Sequence, residues 1–210
     1  MKKLLIINVT ILLTAVVFGQ KTISTYKMLD EEFKFQASEP KDGKYDLYIY
    51  GYGLDNLYKK GGISIKYEKI SKFVDVLNFS KTKYEEWTNV AKQNNVTDLT
   101  KEIEVEIPTL EGFFVTSSKV HFDFSATPYI KYIVRKNTTG SVDYSLVIYS
   151  SKLNSYENKY IEADNFIYAF FSKEEINDFI KLFDKSLVDK TFSAQKAKED
   201  LQKAKEDLFK

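Results

Sequence analysis

Apolar positions in this chain recur with two spacings, and the spacing changes along its length. In KYDLYIYGYG, residues 44–53, Leu47, Ile49 and Gly51 alternate with Tyr48, Tyr50 and Tyr52. A period of two marks a strand, here with one aliphatic and one tyrosine face. Pro40 and Gly43 supply turn chemistry before it. Gly61-Gly62 separates it from a second strand, with Ile63, Ile65 and Tyr67 on one face. The spacing then becomes helical at Ile70, Phe73, Val74 and Leu77, and continues through Tyr84, Trp87 and Ala91. This predicts a helix over residues 70–93; a strand over 73–79 followed by a helix from Thr82 is the competing reading.

Past Asn94-Asn95 the period returns to two. KEIEVEI, residues 101–107, sets Ile103, Val105 and Ile107 inward. Residues 113–124 read as one long strand with Phe114, Val120, Phe122 and Phe124 on one face. Residues 129–136 and 141–150 flank Asn137-Thr138-Thr139-Gly140, a hairpin whose glycine supplies positive φ. Residues 158–171 close the series, with Phe166, Tyr168 and Phe170 alternating. Ser172 with Glu175 three positions on is a capping box, and Ile176, Phe179, Ile180 and Phe183 follow at helical spacing. Counting back from Leu208 in steps of four and three gives Ala204, Leu201, Ala197, Ala194, Lys190, Leu187, Phe183, Ile180 and Ile176. That is one heptad seam, broken only at Lys190. A continuous helix over residues 172–209 would be about 57 Å long.

These elements predict an α+β fold. An antiparallel sheet of about seven or eight strands carries two main helices on one face, the C-terminal one long and extending beyond the sheet. Residues 21–190 form a single domain. Residues 191–210, which contain QKAKEDL twice in succession, form a charged helical extension. Its thin stripe of Ala197, Leu201, Ala204 and Leu208 is the place for association with another helix, including weak self-association.

The first twenty residues change the picture of location. Lys2 and Lys3 precede a short apolar run that ends at Phe18-Gly19-Gln20. This is the pattern of a cleaved secretory signal peptide, and the run is short for a membrane span. The leader is similar to those of exported proteins of A/T-rich Gram-negative bacteria, so the expected location is the periplasm or the medium, with no transmembrane anchor after cleavage. Without Lys2 and Lys3, the 31 basic residues become 29 against 30 acidic ones. That balance lacks the basic footprint of a nucleic-acid binder. There is no cysteine, so the fold rests on its core alone.

Candidate chemistry is sparse. His121 is the only histidine; in KVHFDFS it shares a strand face with Lys119 and Asp123, opposite Val120, Phe122 and Phe124. A His121–Asp123 pair could orient an imidazole for acid–base work with a nearby serine, but no nucleophile elbow or glycine-rich oxyanion segment accompanies it. The plain alternative is a polar outer sheet face. One histidine and no cysteine fall short of the usual zinc and iron–sulfur ligand sets. The acidic clusters at Asp42/Asp46 and Glu162/Asp164 lack calcium-loop spacing, and no metal or cofactor is implied. The row Tyr48, Tyr50, Tyr52 would hold rings about 7 Å apart, suited to a glycan or a protein partner unless it packs as core or is a solvated outer face. The expected function is a non-enzymatic binding or structural module. The alternatives are a hydrolase built on His121 and an assembly protein that works through its last helix.

Overall fold

The computed structural model describes residues 19–55, 57–117 and 119–208; residues 1–18 of the expected leader lie outside them. Thirteen strands and three helices occur among the described residues, and every strand pairing is antiparallel, as the α+β reading requires. One sheet has six strands. They are β1 (Lys21–Met28), β2 (Glu31–Ala37), β3 (Leu47–Tyr50), β5 (Gly61–Ile65), β7 (Leu110–Val115) and β8 (Val120–Ala126), in that spatial order. The second runs β4 (Tyr52–Gly53), β13 (Phe166–Phe170), β10 (Val142–Tyr149), β9 (Tyr129–Lys136), β6 (Asp98–Glu102). A two-stranded ribbon, β11 (Leu153–Asn154) with β12 (Glu162–Ala163), lies in an excursion between β10 and β13.

The first hairpin, β1–β2, was not in the sequence expectation. Its two-residue loop is Leu29-Asp30, both at positive φ. Such loops favour Asn-Gly or Asp-Gly, so Leu-Asp gives no turn signal. The stretch 113–124 is two strands, β7 and β8, and between them the Thr116 amide donates to the Lys119 carbonyl. The strand expected over 101–107 instead ends at Glu102, and the one expected over 158–171 is split into β12 and β13.

Helix α1 (Tyr67–Gln93) is continuous through the Asn78-Phe79-Ser80 stretch that raised the strand alternative. The polar side chains there turn back onto their own helix: Asn78 donates to the Val74 carbonyl, Ser80 to Val76 and Thr82 to Asn78. Ile70, Phe73, Leu77, Tyr84 and Ala91 make the buried stripe.

The last helix is two. Helix α2 (Lys173–Lys181) begins at the expected cap: the Ser172 hydroxyl accepts from the Glu175 amide at 3.1 Å. The Glu175 carboxylate reaches back one residue further than a standard capping box, to the Phe171 amide at 2.6 Å. Asp184 then caps a new helix, α3 (Lys185–Asp207), by accepting from the Ser186 amide. The single seam is therefore broken at residues 182–184, and its phase is reset. In α3 the buried residue is Val188, followed by partly buried Phe192 and Gln195; Lys21 donates to Gln195. From Lys196 to Leu208 every residue is exposed, so the helix does extend beyond the sheets.

The core lies between the two sheets and under α1 and α2, with Phe179 at its centre against Tyr26, Phe35, Tyr168 and Phe170. The chain passes from one sheet to the other at Gly51, where a Cβ would lie 2.9 Å from the Tyr168 ring. The Tyr168 hydroxyl wedges between β3 and β5: it donates to the Ile49 carbonyl at 2.7 Å and accepts from the Ile63 amide at 2.9 Å. Gly62 lies within β5 rather than in a turn, and only glycine fits there, since a Cβ would meet the Ile49 carbonyl oxygen at 1.9 Å.

Candidate functional site

His121 and Asp123 sit on β8, but on the opposite face from the one their neighbours suggest. Each is only 6% exposed, whereas Phe124 is 51% exposed. The reason is the excursion of residues 151–165, which folds over the inner face of β7 and β8. Gly112 admits it: a Cβ there would lie 2.2 Å from Leu153. Leu153, Ala163, Phe114, Ala126 and Phe166 then close a small second core.

Both β8 residues fasten this excursion. Asp123 accepts from the Asn154 amide with one oxygen at 2.9 Å, and from the Ser125 amide and hydroxyl with the other. His121 lies flat against Phe114, ring centroids 5.2 Å apart. Its Nδ1 is 3.0 Å from the Ser155 hydroxyl and its Nε2 is 3.3 Å from the Thr116 hydroxyl. Thr116 already donates to the Lys119 carbonyl, so it accepts from Nε2–H; Nδ1 is then bare and accepts from Ser155. Burial, with the Lys119 charge adding to it and Glu157 opposing it, pushes the imidazole below its ordinary value. Among the described residues His121 and Asp123 share no hydrogen bond. The acid–base pair that the sequence spacing would allow is not formed, nor is the polar outer face, and both residues instead hold one loop.

The loop then wraps the β8 edge. The Tyr156 amide donates to the Phe122 carbonyl at 2.8 Å, and Lys119 pairs with Glu157 beside it. Tyr156, 76% exposed, sets its ring edge-on to Phe124 on the outer face, centroids 5.0 Å apart. From there ring contacts run inward across the sheet: Phe124 to Phe122 at 6.2 Å, Phe122 to Phe113 at 6.4 Å, and Phe113 to Tyr50 at 5.0 Å and Tyr48 at 6.0 Å. Register explains the chain of rings. Tyr50 pairs with Gly62, Gly62 with Phe113, and Phe113 with Phe122. Tyr50 and Phe113 thus meet across the intervening strand β5, their ring centroids 5.0 Å apart.

The three tyrosines of the sequence row are thus divided. Tyr48 and Tyr50 are half-buried on the outer face of the six-stranded sheet, and burial raises both phenols. Asp46 raises Tyr48 further. Burial disfavours the nearby Lys66 ammonium, but Asp46 at 2.9 Å and Glu111 at 3.4 Å outweigh it and keep it charged. Tyr52 lies past the Gly51 corner, in the second sheet. It begins a row through Ile167 and Tyr149 to Tyr129, where the last two rings stack 4.7 Å apart.

Phe122, Phe124 and Tyr156 were not among the expected surface residues. The alternation around them is strong on both faces, and only the distant excursion decides which face is covered. Among the described residues, two of the shallow depressions lie elsewhere. One, of about 290 Å³, lies between α1 and the start of α2; the other, of about 370 Å³, lies between Tyr58 and Tyr160. Neither is lined by His121 or by Tyr48, Tyr50 or Tyr52. Among the described residues no three His, Asp or Glu side chains converge on a metal position, and no helix is long and apolar enough to cross a membrane. Comparison with protein-family models, curated proteins and solved structures finds no match for this chain.

Proposed function

We propose that this chain is an exported, non-enzymatic binding module, working in the periplasm or outside the cell. Its recognition surface is the aromatic strip that ends at Phe124 and Tyr156. The observation that carries this reading is the strip's construction. Two large rings are left in solvent at a sheet edge, and the loop that brings one of them is fixed by a buried histidine and a buried aspartate. Exposed apolar side chains are ordinary when scattered, but contiguous ones backed by a rigid support mark interaction surfaces. The partner class is a protein with an apolar patch. Phe124 has no hydroxyl to offer a sugar, and it stands edge-on to Tyr156 instead of forming a flat platform with it.

The hydrolase alternative has less support. Ser155 and His121 do touch, but Ser155 is buried and the second imidazole nitrogen faces a threonine. Among the described residues the ring nitrogens of His121 meet Ser155 and Thr116, and no carboxylate hydrogen-bonds the imidazole as an orienting partner would.

A photo-reactive amino acid in place of Phe124, in cells that make the protein, tests the reading. The expected result is one discrete adduct in the exported fraction that is lost with Tyr156→Ser. The same adduct from position 34, an exposed site on β2 away from the strip, would refute it.

A further inference from the structure

The outer half of α3 presents an apolar stripe that nothing among the described residues covers, and the charges beside it select what can. Val188, Phe192 and Gln195 face the body of the protein. At about 100° per residue, the stripe of Ala194, Ala197, Leu201, Ala204 and Leu208 lies on the order of 180° away from them. It points outward, with Leu201 58% and Leu208 80% exposed. Steps of three and four put Leu201 and Leu208 at heptad position a, and Ala197 and Ala204 at d. The exact repeat then places Lys198 and Lys205 at e, and Asp200 at g.

We propose that a second copy of this chain occupies the stripe, as a parallel, in-register helix pair. In a parallel pair, each g position meets the e position of the following heptad on the other helix, so Asp200 of each copy faces Lys205 of its mate. In an antiparallel pair, e meets e and g meets g, which sets lysine against lysine and aspartate against aspartate. The sequence therefore favours one orientation and opposes the other. Alanine at d keeps the contact thin, so the association is weak and concentration-dependent. Because the stripe faces away from the body, two copies meet there without their domains colliding at the seam. This inference is independent of the aromatic strip and stands or falls separately.

The chain has no cysteine, so one introduced thiol reports on this interface alone. The full-length protein carrying Leu201→Cys is oxidised at high concentration and run without reductant; Glu199→Cys, at heptad position f, is the control. A disulfide-linked dimer is expected from the first and at least fivefold less from the second. Asp200→Lys or Lys205→Asp added to Leu201→Cys should reduce the dimer severalfold, and both together should restore it. All these side chains are exposed, and circular dichroism checks that helicity is retained. Equal cross-linking at both thiol positions, none at Leu201→Cys, or failure of the double reversal to restore it would overturn the proposal.

Discussion

Tyr168 and His121 each use a buried polar atom to join segments far apart in the chain. The Tyr168 hydroxyl satisfies a carbonyl on β3 and an amide on β5 at once. Tyr168→Phe would strand both in the core, at a cost of about 1–3 kcal/mol. Urea unfolding measures this as a lowered midpoint with an unchanged slope. His121 makes stability depend on pH. Its folded pKa lies below the unfolded value near 6.5, so the unfolded chain binds the proton more readily. The contribution is complete above about pH 6.5 and is lost as pH falls from there through the folded pKa. His121→Phe keeps the contact with Phe114 but removes the titration. Between pH 7.5 and 5.5, wild type should lose more thermal stability than this variant, by differential scanning calorimetry at both pH values. A parallel decline in the two proteins would exclude the imidazole as the source.

At the scale of elements, local chemistry was readable wherever it was self-contained. The α1 stripe, the β9–β10 hairpin and the Ser172 cap all follow from residues within one turn or one loop of each other. Ser172→Ala should cost about 1 kcal/mol, because the Glu175 amide loses its acceptor; Ser172→Gly should cost a few tenths, and thermal melts of the two variants check the order. Elements fixed by distant contacts were not readable. Leu29-Asp30 turns tightly at positive φ because β1 and β2 demand it. The long terminal helix looked unbroken because a heptad count cannot see that Asp184 caps a new start. Most clearly, β8 alternates Val120, Phe122, Phe124 with His121, Asp123, and hydrophobicity alone puts the phenylalanines inside. The structure puts them outside, because Leu153, Asn154 and Ser155 arrive from some thirty residues away to cover the other face. The alternation that sets Tyr48 and Tyr50 on one face of β3 was legible, but their link to Phe124 and Tyr156 runs across strands and has no trace along the chain.

For the whole molecule, two sheets and two helices share one hydrophobic core, and two features extend from it: the aromatic edge at β8 and the outer half of α3. The histidine and aspartate that first suggested catalysis belong to the support of the aromatic edge. Hydrogen exchange at the amides of Asn154 and Tyr156 tests that assignment most directly, comparing wild type with Asp123→Ala and His121→Ala. Asn154 donates to Asp123 and Tyr156 to Phe122, so both amides are protected while the loop is fastened. The account predicts at least tenfold faster exchange at these two amides in each variant, with amides of β10 and β13 unchanged. Unaltered exchange at Asn154 and Tyr156 in folded variants would contradict it.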